Sequence, residues 1–268
     1  MVRVYFGRVI GVRRYWCDVF VTPDFLFNPS FSRFRYMLID VGLSALVRRY
    51  GRVFYPRWWL DKYVCLCRGF YDAFPGRVMA IVPDFPPIWS GAPTEGYMAG
   101  HYELLEEFSR LEDPFWVAVF RFEGLAASEI ERAAEEHGEV LDRFKAIAIP
   151  AMNPMVSRAG FMEAVRAVKK LFPDKWIHLL GPRDDIIRIC YPGICDSLDF
   201  GWSVTRFSWF KRELAEAIGL EKSRVKMFRS ARLDAAGKSA AYELCISNLI
   251  GKVERHIGEV DGWLEDEE

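Results

Sequence analysis

The 268-residue chain has no Gln and only three Asn, and Arg far outnumbers Lys among its basic residues. Side-chain amides are thermolabile, so this composition points to a hyperthermophile or its virus, a setting in which an intracellular disulfide is admissible. No apolar run approaches the length of a membrane span. Met1 to Arg14 carries arginines throughout where a signal peptide would have its apolar core, so a cytoplasmic protein without a membrane partner is expected. Excess charge of one sign is also missing. Lys and Arg number 36 against 37 Asp and Glu, which removes a global basic field but leaves room for a local basic groove.

The six cysteines, at 17, 65, 67, 190, 195 and 245, are scattered through apolar segments without paired ligand spacing. They read as buried thiols and not as a zinc site or a secreted disulfide framework, and no metal or cofactor is expected. No Gly-rich dinucleotide fingerprint follows an early strand. Ala235-Ala236-Gly237-Lys238-Ser239 ends like a phosphate loop, but Arg232 stands where the first Gly is required. Asp199-Phe200-Gly201 has the form of a kinase metal motif, yet no His-Arg-Asp loop accompanies it.

What the chain does have is a 51% apolar content, enough to bury one large core. Short runs rich in Val, Ile and Phe predict strands over 2–6, 18–22, 36–40, 52–55, 77–82, 115–121, 145–149, 176–180 and 193–197. Segments of helical period alternate with them, over 57–73, 95–111, 128–143, 158–172, 183–190 and 207–218, followed by C-terminal helices from about 235. Ser128 with Glu131 has the spacing of a capping box, and Pro173-Asp174 stops the helix before strand 176–180. About eight strands on this length favour a single-domain α/β protein over 1–268, a (β/α)8 TIM-type barrel.

Barrel enzymes carry reactive groups just after the C-terminal ends of strands, so strands that end in an acid matter most. Three do: Tyr36-Met37-Leu38-Ile39-Asp40, Val78-Met79-Ala80-Ile81-Val82-Pro83-Asp84 and Gly193-Ile194-Cys195-Asp196-Ser197. Converging carboxylates suit glycosidic chemistry, in which one attacks the anomeric carbon and another handles the leaving group's proton. Each alone is also an ordinary turn former or helix cap. Asp199 is a second nucleophile candidate if the register around Asp196 slips by three. His178 reads as a satisfied strand histidine, and His101 and His137 as helix-face residues without evident chemistry.

The segment Trp176-Ile177-His178-Leu179-Leu180-Gly181-Pro182-Arg183-Asp184-Asp185-Ile186-Ile187 resembles the His/Tyr-Leu-Met/Leu-Gly segment of the tRNA-guanine transglycosylases. Cys195-Asp196-Ser197 is similar to that family's Phe-Asp-Ser/Cys, Ile39-Asp40-Val41-Gly42 to its Asp-Ser-Gly, and Met79 to Asp84 to its base-reading strand. The resemblance implies exchange of a guanine in DNA or tRNA for a 7-deazaguanine base such as preQ0. Asp196 would be the nucleophile and Asp40 the general acid/base, while Asp84, Arg121, Gly181 and Met152 would contact the base. The family's Ser, stacking aromatic and base-reading Gln are here Val41, Leu43 and Arg121, and its zinc-binding cysteine cluster has no counterpart. The chain therefore looks like a compact zinc-less paralogue of the kind linked to DNA modification.

Arg206, Lys211, Arg212, Arg224, Lys226 and Arg229 offer a basic wall for phosphates. A structural salt bridge is the reading favoured for Arg121, with Glu123 as its partner. Two rivals stand beside base exchange: a non-catalytic nucleic-acid or nucleobase-binding barrel, and an N-glycoside hydrolase that releases the base to water. A homodimer is compatible with either.

Overall fold

The computed structural model describes residues 3–7, 18–22, 34–86, 88–89, 92–93, 97–122, 126–150, 158–180 and 194–200. Within these the order is β1 (Arg3–Gly7), β2 (Asp18–Val21), β3 (Met37–Ile39), α1 (Leu43–Tyr50), α2 (Arg57–Ala73), β4 (Val78–Ile81), β5 (Ile88–Trp89), β6 (Ala92–Pro93), α3 (Tyr97–Ser109), β7 (Trp116–Val119), α4 (Ala127–Leu141), β8 (Ala146–Pro150), α5 (Arg158–Leu171), β9 (Trp176–Leu180) and β10 (Ser197–Phe200). The expected helices at 183–190, at 207–218 and from 235 lie outside the described residues.

The protein is α/β. Strands β3, β4, β7, β8, β9 and β10 pair in that order as a curled parallel sheet. Strand β1 pairs with both β10 and β2, and β2 pairs with β3, which brings the strand order round on itself. β5 and β6 form a separate two-stranded antiparallel sheet.

A strand alternates its side chains between two faces, and both faces are buried here, so β7 reads as an uninterrupted apolar run. Met37, Ile39, Ala80, Trp116, Ala118, Ile147, Ile149, Ile177, Leu179 and Leu198 face outward into the larger core, together with Leu60, Tyr63 and Cys67 of α2 and Leu105 and Phe108 of α3. Leu38, Ile81, Val117, Val119, Ala146 and Ala148 form the second core, inside the curl, with Tyr36, Met79, Trp176 and Leu180 packed against it. At the N-terminal ends of the strands the Arg3 guanidinium lies 3.6 Å from the Tyr36 ring centre and 4.8 Å from that of Trp176.

Three sequence expectations need correction. Residues 52–55 are not a strand but part of the connection from α1 to α2. Gly51 there has φ 70°, a left-handed cap that ends α1, and Pro56 precedes the first turn of α2. Helix α4 begins at Ala127, and it is Glu129 whose carboxylate accepts from the Ala126 N–H at 3.2 Å, so the Ser128 box is displaced by two residues. The last strand among the described residues is 197–200, not 193–197. Ile194 and Cys195, read as strand, are buried against the outer core in the approach to it. Burial alone had imitated a strand.

Candidate functional site

The C-terminal ends of β3, β4, β7 and β10 carry Asp40, Asp84, Arg121 and Asp199. Asp40 follows the last residue of β3, on the inward parity of Tyr36 and Leu38. Its neighbour Gly42 adopts φ 72°, a conformation natural to glycine, and so presents its N–H to Asp40 Oδ2 at 3.2 Å. Burial raises the Asp40 carboxyl most, the amides of Gly42 and Val41 oppose this, and the charges of Asp199 and Asp84 add to it, leaving the group at about 7.

Asp84 is held differently. Arg121 Nε donates to Asp84 Oδ1 at 2.9 Å, and the same guanidinium's NH2 donates to Oδ2, a two-pronged clamp. Burial by itself would raise this carboxyl, but the charge and hydrogen bonds of Arg121, with help from His101, outweigh it and hold it below the usual carboxylate range. The pair is self-neutralising; Glu123, the partner expected for Arg121 from the sequence, lies outside the described residues.

His101, set aside in the sequence as a helix-face residue, is fully buried and aimed at this cluster. Its Nε2 lies 2.7 Å from Val119 O, and since a carbonyl only accepts, that nitrogen carries the proton. Nδ1 lies 3.5 Å from Asp84 Oδ1. Burial drives the imidazole down to about 4, so it is neutral at ordinary pH. A signal was available in the sequence: His101 shares the helical stripe of Leu105 and Phe108.

Three tyrosines secure the frame by donating to carbonyls at the strand ends. Tyr55 Oη lies 2.5 Å from Asp84 O, Tyr63 Oη 2.8 Å from Ile81 O, and Tyr102 Oη 2.7 Å from Arg121 O. Burial, followed by neighbouring carboxylates, raises the Tyr55 phenol, and burial likewise raises Tyr63, so both remain donors.

Asp199 sits inside β10 and is 2% exposed. The register pairs Ser197 with His178, placing Asp199 level with Leu180 at the C-terminal end of β9. His178 Nδ1 is 2.8 Å from Ser197 Oγ, which also accepts from Trp176 Nε1 at 2.7 Å, and His178 Nε2 is 3.4 Å from Asp199 Oδ1. Trp176 can only donate, so Ser197 Oγ accepts from it, and the remaining hydrogen and lone pair of the hydroxyl suit either tautomer of His178. His178, read in the sequence as a satisfied strand histidine, stands between Ser197 and Asp199.

No protein-family model matches the chain, and no curated protein does. The assignment of roles therefore rests on geometry.

That geometry separates Asp196 from the other two predicted acids. Asp196 immediately precedes β10, at its N-terminal end, whereas Asp40 and Asp84 follow their strands. Its Oδ2 accepts from Ile177 N at 2.8 Å and from Lys169 Nζ at 3.1 Å, its N–H donates to Ile177 O, and its carbonyl accepts from Arg3 N. Such bonding staples β10 to β9 and β1 at the ends of the strands opposite those that carry Asp40 and Asp84. The physical reason is the shifted strand start: moving β10 by three or four residues exchanges one end of the sheet for the other. Asp199, the alternative in that slipped register, is an acid whose charge, like that of Asp84, reaches Asp40. Gly181, Met152, Arg206, Lys211, Arg212, Arg224, Lys226 and Arg229 lie outside the described residues. Among the described residues no group of three His, Cys, Asp or Glu side chains is placed to hold a metal. No helix among them is long and apolar enough to cross a membrane.

Proposed function

We propose that the strands complete a (β/α)8 barrel whose C-terminal mouth exchanges a purine base on a polynucleotide, as the resemblance to guanine transglycosylases implies, with Asp199 in place of Asp196 as nucleophile. The observation that carries this reading is the placement of Asp40, held by the Gly42 N–H, and Asp199 at the same ends of the strands, where burial and the charge of Asp199 raise the Asp40 carboxyl. Two acids of unlike environment at one mouth suit a division between attack and proton transfer.

In the first step an Asp199 oxygen forms a bond to C1′ of the target nucleotide while the C1′–N9 bond breaks. Asp40 gives its proton to the departing guanine. In the second step Asp40 takes a proton from the incoming 7-deazaguanine, whose nitrogen forms the new bond to C1′ as the Asp199–C1′ bond breaks. Each step balances without an external oxidant or metal. Because Arg121 occupies both oxygens of Asp84, an entering purine exchanges with it there, releasing the guanidinium to a carbonyl or phosphate oxygen.

The test is incorporation of labelled preQ0 or a related deazapurine into tRNA, duplex DNA and single-stranded DNA. Asp199→Asn is expected to abolish incorporation, by roughly a thousand-fold or more, with an unchanged circular dichroism spectrum. Asp196→Asn loses heat stability but retains exchange. The reverse pattern overturns the assignment, and release of free base without incorporation assigns a hydrolase instead.

A further inference from the structure

The described residues expose three large hydrophobic side chains, and two of them stand four residues apart, Phe54 at 38% in the connection from α1 to α2 and Trp58 at 46% in the first turn of α2. Both carry cations over their rings. Arg52 lies 4.9 Å from the centre of Phe54, and Lys62 and Arg49 lie 5.3 and 5.9 Å from that of Trp58. Arg49 also lies 5.7 Å from the ring of Tyr50.

The charge here differs from that of the chain. Residues 48–62 contain Arg48, Arg49, Arg52, Arg57 and Lys62 against Asp61 alone, a local excess of four positive charges in a protein of net charge −1. Arg57 is engaged by Asp61 and Glu107, while Arg48, Arg49, Arg52 and Lys62 are solvent-exposed. The segment is continuous with the candidate site, because Tyr55, at its centre, donates to the carbonyl of Asp84.

We propose that this segment docks a single-stranded polynucleotide, with Trp58 and Phe54 stacking on bases and Arg49, Arg52 and Lys62 meeting phosphates. Exposed rings are sequence-tolerant platforms for bases whose faces are free, and a duplex hides those faces. An acidic protein would satisfy the cations but leave the rings without a flat partner. Alternating aromatic and basic groups fit the repeat of base and phosphate along one strand. Tyr55 then connects the docked strand to the mouth where a nucleotide is drawn in. The biological sense of this surface rests on the base-exchange reading, but its binding is measured without turnover.

The experiment is fluorescence anisotropy of the full chain with a labelled single strand of about 15 nucleotides, as DNA and as RNA, over a salt series. The corresponding duplex and polyglutamate serve as competitors. Trp58→Ala is expected to weaken single-strand binding about ten-fold. The double variant Arg49→Glu with Arg52→Glu is expected to weaken it further and to make the salt dependence less steep, by roughly one phosphate contact for each charge removed. These side chains are exposed, and an unchanged melting curve confirms that each variant is folded. Unchanged affinity in both variants, or competition by duplex or polyglutamate equal to that of the single strand, overturns the proposal. Binding that follows the patch without any base exchange sinks only the chemistry, whereas exchange on polynucleotides with normal binding by the patch variants sinks only the docking surface.

Discussion

At the residue scale the protein places two titratable groups whose environments pull in opposite directions over the same pH range. Asp40, raised to about 7 in the fold, holds its proton there between pH about 4 and 7 while the unfolded chain has lost it. Its contribution to stability is therefore full below pH about 4 and is lost as the pH rises through 7. His101, lowered to about 4, remains neutral in the fold while the unfolded chain takes up a proton below pH about 6.5. Its contribution is present above that pH and is lost as the pH falls. Asp40→Asn removes the first trend and leaves the second, so urea unfolding of this variant should show stability rising between pH 4 and 6.5 more steeply than in wild type. The same substitution should lower exchange by about a hundred-fold or more and erase the decline in kcat expected of wild type as Asp40 ionises above pH about 7. A wild-type decline that survives in the variant would assign the proton transfer elsewhere.

At the scale of the element, helix α2 shows how local pattern becomes site geometry. Leu60, Tyr63 and Cys67 recur at steps of three and four and are its buried face, legible from the sequence as a helical stripe. What the stripe did not tell was that Tyr63 Oη reaches past the apolar layer to Ile81 O, with Ile39 O at 3.2 Å, tying the ends of β3 and β4 just below Asp40 and Asp84. Tyr63→Phe keeps the ring's packing and leaves those carbonyls short of a donor, so denaturant unfolding should show a loss of about 1–3 kcal/mol. A neutral result would mean that the bond adds nothing to the frame. Strand β10 gives the opposite lesson. Gly193-Ile194-Cys195 looks like a strand because two of its residues are apolar, but Ile194 and Cys195 are buried in the larger core ahead of the strand and not within the sheet. Only the alternation Ser197 inward, Leu198 outward, Asp199 inward fixes the register, and four residues are too short a run for that alternation to stand out in sequence.

For the whole molecule, the decisive feature is the pairing of β1 with both β2 and β10, which brings the two ends of the strand order together. Arg3 contributes to that junction through its backbone bond to Asp196 and through its guanidinium between Tyr36 and Trp176. Arg3→Ala is expected to destabilise the protein by about 1–2 kcal/mol, seen as a lowered melting temperature. It should leave exchange at permissive temperature unaltered, because it acts at the ends of the strands remote from Asp40.

By itself the sequence determined the α/β class, seven of the strands to within two residues, the placing of α2 and the acids that end β3 and β4, because these follow from apolar period and local punctuation. Only the tertiary structure decided that Arg121 clamps Asp84, that His101 is buried beside them, and that Asp199 in place of Asp196 shares an electrostatic field with Asp40. Those relations join residues distant in the chain, and in a parallel sheet a shift of a few residues along one strand carries a side chain from one end of the sheet to the other.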